Sequence, residues 1–116
     1  MITNYKLENL KQKIDSSLEI SEDIIIKFCQ RFKIQQLAVF GSILRDDFNV
    51  DSDIDFLITL SSDVKLNLTF FQLMETDLKN LVNRDIDIIF KDNLKRSSNW
   101  IRKKEILTTA EVIYEA

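Results

Sequence analysis

Asp53 and Asp55 stand two residues apart at the head of an apolar run, Phe56-Leu57-Ile58, and a short polar connection separates them from Gly41-Ser42. On a β-strand, residues i and i+2 share a face. If Asp53 lies on that strand, both carboxylates point the same way and Ile54 points to the other side. Two carboxylates forced together repel, and burying them unpaired is costly. A cation between them removes both problems. Hard oxygen donors at this spacing suit Mg²⁺, which keeps waters and substrate phosphates in its remaining positions. Gly41 is the single glycine of the chain and lets the backbone approach a phosphate closely. The N–H groups after it and the Ser42 hydroxyl are donors for phosphate oxygens. From composition alone, a serine directly after that glycine with Asp-x-Asp at one set later offset arises roughly once in a thousand.

Other chemistries are excluded by what the chain lacks. It has no His and one Cys, which removes zinc sites and every Ser-His or Cys-His nucleophile pair. The work falls to carboxylates, hydroxyls, Lys and Arg. Asp51-Ser52-Asp53-Ile54-Asp55 also resembles the opening of a calcium-binding EF-hand loop, but Phe56 stands where that turn needs Gly and Ser62 where it needs a bidentate Glu. The net charge of −3 argues against direct nucleic-acid binding, which leaves a basic footprint. No run of 18 apolar residues suggests a membrane span. Met1 to Lys13 lacks an apolar signal core, so with the lone Cys29 the expectation is a reduced, cytoplasmic protein. A length of 116 residues suits a single domain over 1–116, and an apolar fraction of 45% supports a core.

The elements that must position these residues are read from periodicity. Leu7, Leu10, Ile14 and Leu18 predict an amphipathic helix over about 4–17. Ser21 followed by Glu22 and Asp23 is a helix start. That helix runs to about Lys33 with Ile24, Ile25, Phe28 and Phe32 as its apolar side and Cys29 packed beside it as a structural thiol. A strand over about 36–40 precedes the Gly-Ser step, with a helical turn over 43–46, and a second strand carries Asp55 to Ile58. Residues about 64–82 form the longest helix, with Leu66, Phe70, Leu73, Met74, Leu78, Leu81 and Val82 on one stripe. Leu68 and Phe71 fall beside it, as surface residues or as part of a partner interface. A third strand follows Asn83, with Ile86, Ile88 and Phe90 on one face and Asp85, Asp87 and Ile89 on the other. A final helix over about 93–107 sets Leu94, Trp100, Ile101 and Ile106 among the cations Lys91, Lys95, Arg96, Arg102, Lys103 and Lys104. Its basic face is either solvated or docks an acidic partner or nucleotide phosphates. Residues 110–114 add a short strand or a helical turn. This order predicts an α/β fold, a small mixed β-sheet packed with helices.

Gly41-Ser42, ten residues, then Asp53-x-Asp55 resembles the signature of the minimal nucleotidyltransferases, of the polymerase-beta-like nucleotidyltransferase superfamily. The likeness extends from Leu37 through Ile58. In that family a third carboxylate comes from the neighbouring strand in an Arg-x-x-Asp-hydrophobic pattern. Arg84 and Asp87 match it; Asp85 is a rival, and Asp87 is preferred because Ile86 and Ile88 set it deeper in the strand. Family members often carry a small residue and Arg-Gly after the Gly-Ser step. This chain keeps Arg45 but has Leu44 and Asp46, which bears on the loop rather than on the metal site. Arg45 either contacts a phosphate or pairs with Asp46, Asp47 or Asp51. The resemblance implies a nucleotidyltransferase fold and transfer of AMP from ATP, with Mg²⁺ held by Asp53, Asp55 and Asp87 and with Gly41 and Ser42 cradling the β and γ phosphates. It also implies a partner: such proteins are commonly paired with HEPN-domain ribonuclease toxins, which they neutralise by attaching AMP to a tyrosine. Two other functions stay open, an antitoxin that acts by contact alone and a transferase acting on small molecules such as aminoglycosides.

Overall fold

The path from residue 21 onward shows why each element starts and stops where it does; the computed structural model describes residues 21–116, so the helix expected over 4–17 lies outside the described residues. Helix α1 spans Glu22–Arg31, and the Ser21 hydroxyl accepts a hydrogen bond from the Ile24 N–H at 3.3 Å. Glu22 and Asp23 occupy the first turn and Arg31 the last, each favourable to the helix dipole. The helix ends two residues before the expected Lys33, which sits at φ 52 in the left-handed region. Ile25, Phe28, Cys29 and Phe32, spaced three or four apart, are the buried stripe. Ile24, expected on that stripe, is turned to the surface.

Strand β1 spans Ile34–Phe40, β2 Ile54–Leu60, β3 Ile86–Phe90 and β4 Glu111–Glu115. The sheet order is β3-β2-β1-β4. β1 is antiparallel to both β2 and β4, while β2 and β3 are parallel. The sheet is therefore mixed, and the parallel pair takes its crossover from helix α2, Leu68–Val82. That helix begins four residues later than the periodicity suggested, because the Asn67 side chain caps it by accepting from the Phe70 N–H at 2.8 Å. Met74, Leu78 and Val82 are its buried line, whereas Leu66 lies before the cap and Leu73 points outward. Phe71, placed beside the stripe in the sequence, packs edge-on to Phe90 with ring centres 6.0 Å apart.

The single helix expected over 93–107 is two: α3, Lys91–Lys95, and α4, Trp100–Thr109. The break falls at Ser97-Ser98-Asn99. There the Ser97 hydroxyl accepts from the Asn99 N–H at 3.2 Å, and the Asn99 side chain caps α4 by accepting from the Arg102 N–H at 3.1 Å. Short polar side chains that bond their own backbone end one helix and start the next.

The two faces of the sheet bury different sets. Leu37, Val39, Ile54, Phe56, Ile58 and Ile113 join α1 and α2 in the larger core. Phe40, Ala38 and Leu57 join Leu94 of α3 and Ile106 of α4 in a smaller one on the other face. A sheet covered on both faces needs nearly continuous apolar strands, which is what β1 and β2 are. On that second face the acids lie at the end where β1 gives way to Gly41.

Candidate active site

β2 opens at Ile54, so Asp53 is the last residue of the preceding loop and Asp55 the second residue of the strand. The condition that both acids share a strand is thus half met. In the register, Asp55 lies opposite Phe40 of β1 and opposite Asp87 of β3. Asp55 and Asp87 therefore project on one face, with Leu57 and Ile89 two residues further along. Asp55 is half-buried. Burial first, then the charges of Asp87 and Asp53, push its carboxyl above the ordinary carboxylate range, while Arg102 and Arg45 pull the other way. Three acids and two guanidiniums thus share one electrostatic neighbourhood.

Gly41 closes this site from the β1 side. It ends the strand at φ +76, a conformation open to glycine at little cost. A Cβ built there would collide with the Asp55 carboxylate oxygen and lie 3.2 Å from its Cγ. The glycine is required twice over, for its backbone angle and for the acid pressed against it. Residues Gly41–Leu44 then form a 3-10 turn with Ile43 buried beneath it. The Ser42 hydroxyl faces the acid loop and donates to the Asp53 carbonyl at 3.5 Å.

The loop over 45–53 has no second glycine and is held by polar contacts instead. Arg84, from the turn before β3, donates to the carbonyls of Asn49 at 2.9 Å and Ser52 at 3.0 Å. Its guanidinium lies over the Phe48 ring, 4.5 Å from the centre. The Asn49 and Asp51 N–H groups donate to the side chains of Ser52 at 3.1 Å and Asn49 at 2.9 Å. The arginine that the sequence pairs with Asp87 thus acts on the loop that ends in Asp53.

Of the remaining expected residues, Arg45 forms an exposed ion pair with Asp47 at 3.2 Å. Asp85 does not join the cluster around Asp55. Its carboxylate is 77% exposed and pairs with Lys79 of α2 at 3.4 Å, and Asp87 is the acid in register with Asp55. The sequence groups Arg102 with the other cations of the final helix, on a face either solvated or docking an acidic partner or nucleotide phosphates, and the structure sets its charge on Asp55. What separates it from those cations is that it precedes the buried Ile106 by one helical turn, which places it on the side of α4 that faces the sheet.

Among the described residues no three acids close in as a ready-made metal cage. The donor set fits a Mg²⁺ that takes one or two carboxylates and completes its shell with water and phosphate oxygens. The repulsion at Asp55 from Asp87 and Asp53 is what such an ion would relieve. A cleft of about 910 Å³ opens beside Asp53, bounded by Ser52, Lys79, Asn83, Arg84 and Asp85. Of the three site acids it touches Asp53 and neither Asp55 nor Asp87.

Comparison with known proteins gives this geometry a context. The family model described as nucleotidyltransferase domain matches residues 21–112. The protein adenylyltransferase MntA of Thermococcus cleftensis is 35% identical over 66 residues, 57% of this chain and 65% of that protein. The chain therefore spans slightly less than two thirds of that relative. A provisionally named protein adenylyltransferase of Methanocaldococcus jannaschii is 32% identical over 65 residues, 56% of this chain and 73% of its own length. Among solved structures, a toxin–antitoxin complex with AMP-PNP aligns with a TM-score of 0.60 at 20% identity, covering 84% of this chain and 75% of that one. The complex of tri-AMPylated Shewanella oneidensis HEPN toxin with its MNT antitoxin aligns with a TM-score of 0.53 at 20% identity, covering 82% and 70%. At these identities the likeness is one of fold.

Proposed function

The chain belongs to the nucleotidyltransferase domain family, and from that premise we propose that it is an antitoxin which transfers AMP from ATP to a tyrosine hydroxyl of a partner HEPN ribonuclease toxin, releasing pyrophosphate and neutralising the toxin. The observation that carries the reading is the pair Asp55 and Asp87, in register on adjacent parallel strands, with the Gly41 backbone pressed against the first. The names of the relatives support the acceptor: one is a protein adenylyltransferase, and one structural neighbour holds an AMPylated HEPN toxin. The neighbour with AMP-PNP supports ATP as donor.

In this reading Asp53, Asp55 and Asp87 would hold Mg²⁺, which when bound would neutralise phosphate charge and lower the pKa of the attacking hydroxyl. The chain's own groups do the rest. Gly41 lets the backbone reach the phosphates, and the Ser42 hydroxyl and the N–H groups of the turn donate to their oxygens. Arg45 and Arg102 add positive charge where the leaving pyrophosphate develops negative charge. Asp87 accepts the proton of the acceptor hydroxyl as its oxygen bonds to the α-phosphorus and the bond to the β-phosphate oxygen breaks. Arg84 keeps Asp53 at the rim through the loop that it ties down. Among the described residues no helix is long and apolar enough to cross a membrane, and the lone Cys29 suits a cytoplasmic setting.

The test mixes the protein with labelled ATP, Mg²⁺ and the product of the neighbouring gene. Label on that protein, absent with Asp55→Asn, supports the proposal. Neutralisation that survives Asp55→Asn without ATP assigns the protein to binding alone, and label on an aminoglycoside with no protein partner assigns it to small-molecule transfer.

A further inference from the structure

The outward side of α4 carries unusual groups for a surface. Trp100 is 67% exposed and Ile101 64%, and Leu107 is also exposed. On a helix of 3.6 residues per turn, Trp100, Lys104 and Leu107 form one stripe with Ile101 beside it, opposite the buried Ile106. Exposed tryptophan next to exposed isoleucine is the composition of an interface centre rather than of a solvated face.

Charge says what would cover it. On helix spacing Lys104 belongs to the stripe and Lys103 flanks it, and Lys95 at the end of α3 lies against Lys103. Among the described residues none of these three lysines forms a salt bridge, whereas Arg31, Lys33, Arg45 and Lys79 each hold an acid. Lys103 is engaged only with a neutral oxygen among the described residues, the Lys95 carbonyl at 3.1 Å. On a chain of net charge −3 this is a local basic rim around an apolar centre. A polynucleotide would need several stacking rings or a basic track, and one ring flanked by aliphatic side chains fits a protein better. The face and the acid site flank the same helix, because Arg102, on the opposite side of α4, is the guanidinium whose charge acts on Asp55.

We propose that the exposed face of α4, centred on Trp100 and Ile101 and rimmed by Lys95, Lys103 and Lys104, docks an acidic segment of the polypeptide whose hydroxyl enters the Asp55–Asp87 site. This rests on the reading that the site modifies a protein. Docking next to the acids raises the local concentration of the hydroxyl and fixes its approach, while opposite charge steers the encounter.

The probe is a fluorescein-labelled random copolymer of glutamate and tyrosine, followed by polarisation at low salt. Its neutral-pH counterpart of lysine and tyrosine and a single-stranded RNA of similar length serve as competitors. The full chain is expected to bind the acidic copolymer at least about tenfold more tightly than either competitor, with affinity falling as salt rises. Lys104→Glu and the double variant Trp100→Ser with Ile101→Ser are each expected to weaken binding about tenfold or more. Lys27→Glu, an equal charge change on exposed α1, is expected to leave it within about twofold. Equal binding of the RNA, retention of binding by the α4 variants, or a dimer of this chain that buries Trp100 would each overturn the proposal. Transfer of labelled AMP from ATP to the neighbouring gene product, measured in parallel, separates the two readings. Transfer unaffected by the α4 variants sinks the docking face and leaves the enzyme reading intact. Docking without transfer to any protein sinks the enzyme reading and leaves the face intact.

Discussion

Replacing Gly41 by alanine inserts a methyl where the Asp55 carboxylate lies, on a backbone at φ +76. Neither the strand end nor the acid can yield without disturbing β2. The expected cost is about 1–3 kcal/mol of stability in denaturant unfolding, with transfer activity down about a hundredfold through misplacement of the acid. Asp55→Asn tests the site in the opposite sense. Burial and neighbouring acids raise the Asp55 pKa in the folded chain. Stability from its bound proton is complete below the unfolded-state value and lost as pH rises through the raised folded value. At neutral pH the ionised group is held at a cost, which an amide removes. Asp55→Asn is expected to abolish transfer yet raise Tm by roughly 2–5 °C in EDTA at pH 7. The gain should shrink toward pH 4, as the wild-type acid takes up its proton. Calorimetry across that range checks the sign, and a variant no more stable than wild type at pH 7 would contradict the assigned repulsion.

At the scale of elements, the connection between the Gly-Ser turn and β2 is held by one side chain from a distant part of the chain. Arg84 binds two of its carbonyls and covers Phe48. Arg84→Ala leaves those carbonyls to water and frees the segment that ends in Asp53. The expected loss is about 1–2 kcal/mol in stability but about 10–100-fold in kcat/KM, since a small displacement of a reacting group costs rate out of proportion. Arg84→Lys cannot make both contacts from one fork and should recover only part of the rate. The caps are local by comparison: Asn67→Ala should cost about 1 kcal/mol by urea unfolding with kcat/KM unchanged.

Across the molecule, the two sheet faces divide the labour. The larger core lies under α1 and α2, and the smaller face, under α3 and α4, carries Asp55 and Asp87 at its end, with the charge of Arg102 from α4 acting on Asp55. Cys29 lies fully buried in the larger core, and burial pushes its thiol up to about 12. At pH 8 it should react with a disulfide reagent only through opening of the folded state. Labelling is expected to be at least about a thousandfold slower than in urea, and to slow further in any variant that stabilises the fold. Fast labelling of the native chain would show that this core opens locally.

Much of this was legible in the one-dimensional pattern because its physics is local. Ser21 caps α1, the alternation in Ile86 to Phe90 sets faces, and Gly41-Ser42 with Asp53-x-Asp55 states a chemistry. Where a side chain bonds its own neighbours, as at Asn67 and Asn99, periodicity misplaced the boundaries, since a cap overrides the apolar repeat. Pattern and resemblance favoured Asp87 over Asp85, but the distance to Asp55 was beyond their reach. Only the parallel register of β2 and β3 sets Asp87 beside Asp55 while Asp85 goes to Lys79, and only helix packing turns Arg102 toward the acids and Arg84 toward the loop. Such choices depend on which of several compatible partners the folded chain brings within reach, and residue order along the chain carries no distance between them.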